Sequence, residues 1–356
     1  MIATPEPPSM VGTDGRILLM SCDQFVRTIC NGNACFVCGV DPEEADFNDE
    51  HIVPRWVLRR FGLFEKEITL PTGERRKYGG YRVQCCSKCN SLLGDQVETP
   101  ISQLLLGTYE EVRRRLEEPR SEELLFTWLS LLFLKIHLKD GKVPVHKDRR
   151  RGLNVIGDAY EWSVLHHIHA VARSPYTGAH LLPGVVGSVC LYEIQTGVDR
   201  ERYDYVNFTN EHTLAVQVGN IGIVAVLTDA GAARVAWLER LASIDGPLSN
   251  LQLREVAAML AVANANLLDR PVFGTFSAEG QWPAIFCQPP SGRLGPYDPE
   301  EFGHALLFAV QQYVAERLIE VDGVREPSEV ATKICSGRVS LLFDEAGSLR
   351  RLSPKE

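Results

Sequence analysis

Two C-x-x-C pairs, Cys35–Cys38 and Cys86–Cys89, bracket a stretch in which Glu50 stands directly before His51, in the string "NDEHIVPRW". Each C-x-x-C turn brings two sulfurs onto one side of a tetrahedron. Two such turns supply the four thiolates, at about 2.3 Å each, that close a zinc coordination shell. A shell with no open position is structural, so the expected role is a clamp on a small domain with little core of its own. Cys85 is a fifth sulfur in the same region, expected to be buried or to remain a spare thiol. Ten cysteines in 356 residues are too few for a small disulfide scaffold, and five of them fall between positions 35 and 89. In a reducing compartment that clustering favours metal over disulfides.

The clamp leaves "EHIVP" and Asn90 unexplained. Together with a strand-like "YRVQC" and the following "CSKCN", these residues resemble the HNH endonuclease superfamily, in which a β-hairpin and a helix hold one catalytic divalent ion. The resemblance spans roughly residues 35–99 and belongs to the branch carrying a four-cysteine zinc site. It implies that His51 is the general base that deprotonates the attacking water, a task suited to an imidazole titrating near neutrality. It further implies that Glu50 and Asn90 are ligands of a catalytic Mg²⁺ or Mn²⁺, hard ions that prefer oxygen. Asn90 lies about 100° round a helix from Cys89, so one turn can face zinc on one side and the catalytic ion on another. Phosphodiester hydrolysis needs both an activated water and a cation at the developing charge.

The implied substrate is DNA, and the implied setting is defence against phage or a restriction-like system. The same metal site can cleave RNA, which makes an RNA-directed toxin a second reading. A third, of another class, is a zinc-stabilised module that binds nucleic acid or protein, with Glu50 and His51 structural. Two positions depart from the family pattern. The middle Asn, which usually braces the loop carrying the base, falls at Tyr81, and the frequent Lys three positions after the helix Asn is Leu93. Asp95 and Glu98, on or just after the same helix, are either solvated or within reach of a metal shell.

These residues must be positioned by a chain that reads as α+β. A small zinc-stabilised ββα-metal domain is expected over residues 1–120, followed over 121–356 by a larger α+β domain built around a mainly antiparallel sheet. Between the acid-His pair and "YRVQC", the segment "GLFEKEITLPTGERRKYGG" reads as a long loop or hairpin from its Pro, Thr and Gly content. Apolar residues recurring every three or four positions predict one helix over Ile101–Glu118, and a second, apolar almost all round, over Glu122–Leu138. "KDGKVPVHKDRRRG" then breaks the pattern as a linker or exposed loop. "AYEWSVLHHIHAVAR" is expected to be helical, with its three histidines in the core or on the surface rather than on a metal. Four strands follow, the last two joined at Gly219-Asn220 as a hairpin, and two amphipathic helices near Leu251–Leu268 and Pro299–Val321. Cys190, Cys287 and Cys335, each alone in an apolar or strand-like run, read as small buried hydrophobes.

Net charge is −9, which argues against a uniformly basic nucleic-acid binder. The charge is uneven. Residues 1–150 carry 21 basic and 22 acidic side chains, and residues 151–356 carry 16 and 24. Residues 51–100 hold nine Lys or Arg against five acids, which allows a local positive stripe. The acidic carboxy-terminal part is a poor partner for phosphate backbones and is expected to mediate self-association or protein contacts. No apolar run approaches the ~20 residues of a membrane helix, and the first twenty residues lack a basic start followed by a long apolar stretch. A cytoplasmic protein is therefore expected.

Overall fold

In a computed structural model the chain is described over residues 8–351, apart from 71, 119, 147–149, 151, 153, 196–202 and 279–280. It divides into two compact units that are not consecutive in sequence. The first comprises residues 1–106, 118–185 and 273–287; the second comprises 107–117, 186–272 and 288–356. The boundary expected at 120/121 therefore does not coincide with the division, and the long apolar helix assigned to the second domain lies in the first unit.

The first unit opens with a short antiparallel ribbon, β1 (Met10–Val11) and β2 (Ile17–Leu19), and a helical segment that begins as α1 (Cys22–Gln24) and continues as a π-turn to Cys30. After the first cysteine pair come β3 (Glu50–His51) and α2 (Arg55–Arg60), the latter starting directly after Pro54. Pro54 has the fixed φ that suits a helix start. The expected hairpin forms between β4 (Glu67–Thr69) and β5 (Arg75–Lys77). β6 (Arg82–Val83) returns to pair antiparallel with β3, and α3 (Ser87–Leu93) follows at once. This is a strand, strand, helix order. α3 runs through a π-turn into α4 (Thr99–Leu104).

α5 (Tyr109–Leu116) belongs to the second unit. The single helix expected over 101–118 is thus two. Gly107 sits at φ +108, where no side chain is comfortable, and Thr108 caps the new helix in a reciprocal box with Glu111. Turn chemistry overrides an apolar period that runs straight through it. α6 (Ser121–Asp140) is the buried helix expected from its all-round apolar character, with Phe126, Trp128 and Phe133 fully enclosed. α7 (His166–Ala172), α8 (Ser174–Thr177) and β7 (His180–Leu181) complete this stretch.

In the second unit β8 (Ser188–Glu193), β9 (Tyr203–Phe208), β10 (Thr213–Val218) and β11 (Ile221–Val226) form one antiparallel sheet in the order β8-β11-β10-β9. Gly219, at φ +63, turns the β10–β11 hairpin as expected. β10 and β11 are buried on both faces, with α11 packed against them. The other helices of this unit are α9 (Ala232–Ala236), α10 (Leu238–Ala242), α11 (Asn250–Ala265), α12 (Pro299–Ala315) and α13 (Pro327–Cys335). β12 (Val272–Phe276) and β13 (Ala284–Gln288) leave this unit to complete a three-stranded sheet with β7, in which β13 and β7 run parallel. Among the described residues no helix is long and apolar enough to cross a membrane.

Candidate functional site

The four cysteines singled out by spacing converge. One sulfur from each of Cys35, Cys38, Cys86 and Cys89 lies within 4.8 Å of every other, so the cluster could hold a metal ion such as zinc. Bonds of about 2.3 Å to a tetrahedral centre place sulfurs roughly 3.8 Å apart, and Cys38 and Cys86 stand at 3.8 Å. The first pair rides on a tight turn in which Cys35 N–H donates to Val40 O and Gly39 N–H donates back to Cys35 O. Gly39 has φ +80, and a Cβ there would meet the Met20 methyl at 2.6 Å, so the turn requires glycine twice over. Cys86 and Cys89 open α3, one at the helix start and one a turn on.

The sulfurs are close enough to bond one another as thiols: Cys35 Sγ and Cys85 Sγ stand 3.9 Å apart. Hydrogen bonding among the thiols pushes the Cys35 pKa down and those of Cys38, Cys85 and Cys89 up, so they titrate together and not singly. Cys85 is fully buried 3.9 Å from Cys35, a packing neighbour of the clamp and outside the set of four.

The clamp is braced from α7. His169 Nε2 bonds Phe36 O at 2.9 Å, and the buried Arg173 guanidinium donates to Val37 O and to Ile17 O, tying down the carbonyls between the two first cysteines. Burial lowers the Arg173 pKa to about 10 and keeps His169 neutral. In "HHIHA", His166 Nε2 bonds Met20 O at 2.7 Å and His167 stacks on Phe273, while His169 and Arg173 act on the cysteine turn from a distance in sequence that no spacing rule reveals.

Glu50 and His51 are adjacent on β3, so the pleat sends their side chains to opposite faces. On one face His51 stands across the ladder from Arg82. Its ring meets Phe64 edge-on at 6.1 Å, and its Nε2 is buried with no hydrogen-bond partner. Burial, and then the positive charges of Arg82, Arg55 and Lys135, push its pKa down to about 4 against the opposing pull of Glu50. The imidazole is neutral at pH 7. On the other face Glu50 is enclosed with Lys135 of α6. The Lys135 ammonium donates to Glu50 Oε1 at 2.8 Å, to His51 O at 2.8 Å and to Glu98 Oε1 at 3.4 Å. Lys135 is a residue that sequence reasoning missed. Glu98, left open between solvent and a metal shell, joins this cluster, while Asp95 is exposed.

Asn90 faces the turn that leads into β3. Its Nδ2 donates to Asn48 Oδ1 at 2.7 Å and to Asp49 O at 3.2 Å. Asp49 holds the left-handed conformation at φ 47, a strained choice for any residue with a Cβ, so this brace stabilises an unfavourable backbone. Asn90 thus anchors the loop carrying the acid-His pair. At Tyr81, where the family pattern has its middle Asn, a buried phenol donates to Asp140 Oδ1 at 2.5 Å, and the Tyr81 carbonyl accepts from Ile52 N–H.

No hydrogen bond joins Glu50, His51 and Asn90 to one another among the described residues. A divalent ion held by Glu50 and Asn90 does not fit this arrangement, because the Glu50 carboxylate is already neutralised by an ammonium and lies on the face of β3 opposite His51. The Arg residues of α2 and Arg82 of β6 give the His51 side a positive character: Arg55, Arg59 and Arg82 are exposed, whereas Arg75, Arg76 and Lys77 of the β4–β5 hairpin are engaged with Glu67, Glu74 and Glu65. Compared with protein-family models, curated proteins and solved structures, the chain matches none.

Proposed function

We propose that this chain is an HNH-type endonuclease that hydrolyses phosphodiester bonds in DNA, with zinc in the four-cysteine clamp as a rigid support for the β3–β6 hairpin. The carrying observation is His51: a neutral imidazole with an unpartnered Nε2, placed directly across the ladder from an exposed Arg82. A neutral imidazole can accept a proton from water, and its depressed pKa keeps it able to do so well below pH 6. Guanidinium groups offer paired donors that match phosphate oxygens, which gives Arg82 and Arg55 the binding role. Asn90 contributes by fixing the turn before Glu50. No step is assigned to a catalytic Mg²⁺ or Mn²⁺, whose expected ligands are committed elsewhere. A setting in phage defence or a restriction-like system is part of the same proposal and rests on the resemblance alone. The acidic second unit is proposed to mediate self-association or protein contacts, consistent with a groove lined by Leu307, Phe308, Val314 and Ala331.

The test is nicking of supercoiled plasmid by the zinc-loaded protein. His51→Ala should lower the rate by about 10²–10⁴ while leaving zinc content unchanged. Nicking by His51→Ala at the wild-type rate would overturn the assignment. The buried Glu50–Lys135 ion pair favours a second reading, a nucleic-acid-binding module without catalysis. That reading holds if wild-type protein retards DNA in a gel and never nicks it.

A further inference from the structure

We propose that the Lys135 ammonium is the resident cation of the β3–β6–α3 motif, occupying an oxygen cage that would otherwise take a divalent metal ion. The cage is made of one carboxylate oxygen from Glu50, one from Glu98 and the main-chain carbonyl of His51. An ammonium has three N–H donors, and here each finds an oxygen. The lysine side chain is 3 % exposed and the Glu50 side chain 8 %, so the match is made out of water, where an uncompensated charge is very costly. Lys135 projects from a helix that is otherwise apolar at this level, flanked by the buried Leu134 and Ile136.

Two carboxylates and a carbonyl converging on one point are hard oxygen donors of the type Mg²⁺ and Mn²⁺ select. The ammonium already there excludes such an ion in two ways. Its charge repels a second cation at van der Waals distance, and its nitrogen fills the space. One lysine leaves the two acids with a surplus negative charge. Burial, together with the neighbouring Glu50 charge and against the pull of Lys135, raises the Glu98 pKa to about 8, so that a proton completes the balance near neutrality. The arrangement is therefore electrically closed without metal. It deepens the nuclease reading by assigning the cation of that hairpin, and its measurement reads ion binding, so either claim can fail while the other stands.

The experiment titrates zinc-loaded protein with Mn²⁺, following free Mn²⁺ by electron paramagnetic resonance and stability by thermal melting. Wild type and Lys135→Arg should show no Mn²⁺ uptake that is lost on Glu50→Gln, and no Mn²⁺-dependent rise in Tm. Lys135→Met should gain a bound Mn²⁺ that Glu50→Gln abolishes in the double variant, and its Tm should rise with added Mn²⁺. Glu50-dependent Mn²⁺ binding by the wild type would overturn the proposal, and this arm needs no lysine variant to fold. A folded Lys135→Met protein that takes up no Mn²⁺ would overturn it as well.

Discussion

Glu98 carries a charge whose worth to the fold depends on pH. Burial lifts its pKa from 4.5 to about 8, so the folded chain keeps a proton there that the unfolded chain gives up. The unfolded state binds fewer protons between these values, and stability from this group is complete below pH 4.5 and lost as pH rises through 8. Glu98→Gln, which mimics the protonated form, should flatten that decline; denaturant melts at pH 5 and pH 8.5 would check it, and an unchanged slope would sever Glu98 from the cause. The residues of this cluster differ in how legible they were. The Cys pairs and the acid-His dipeptide announce themselves by type and spacing. Lys135 does not, because one lysine in a helix that reads as apolar all round carries no periodic signal, and its meaning appears only when Glu50, 85 positions away, is seen to meet it. Asn90 stood out by its place after the last cysteine, but the loop it braces could not be foreseen without the strained backbone of Asp49.

At the scale of elements, most boundaries followed from pattern: α6, the four strands of the second sheet and the β4–β5 hairpin all lie where composition and period placed them. The break at Gly107 was hidden because apolar residues keep their helical spacing on both sides of it. The β3–β6 pair is only two residues long on each strand, far below what stands alone in water. It must borrow rigidity from the cysteine clamp at its end and from α6 behind it. With zinc bound, removal by a strong chelator, or Cys38→Ser, should therefore cost on the order of 5 kcal/mol and abolish cooperative melting of the first unit. Elemental analysis finding no zinc in folded protein, or a melt indifferent to chelation, would dissociate the hairpin from the clamp.

For the whole molecule the charge map decides where the proposed DNA substrate would be met. The net −9 opposes a polyanion, so any DNA binding must come from a local basic face. Charge reversal at Arg55 and Arg82 should weaken DNA retention and reduce the slope of log affinity against log salt by about 1–2, whereas reversal at Arg317 and Arg325 of the second unit should leave both unchanged. The opposite pattern in salt-dependent fluorescence anisotropy would move the interface. The division into units was the least legible feature: Pro and Gly mark two of its crossings, in "LPGVVG" around residue 185 and "QPPSGRLGP" after residue 287, but a turn signal does not say which unit the chain enters next. That interleaving has a consequence in time. The first unit lacks its last two strands, β12 and β13, until residue 287 is made, while its earlier parts end at residue 185. At about 5–20 residues per second, the intervening 102 residues (287 − 185) leave β7 an open strand edge for roughly 5–20 s during synthesis. For that interval the ribosome carries the four-cysteine unit with its last sheet unmade, tethered to a half-made neighbour, and a chaperone that shields such edges would find its client there.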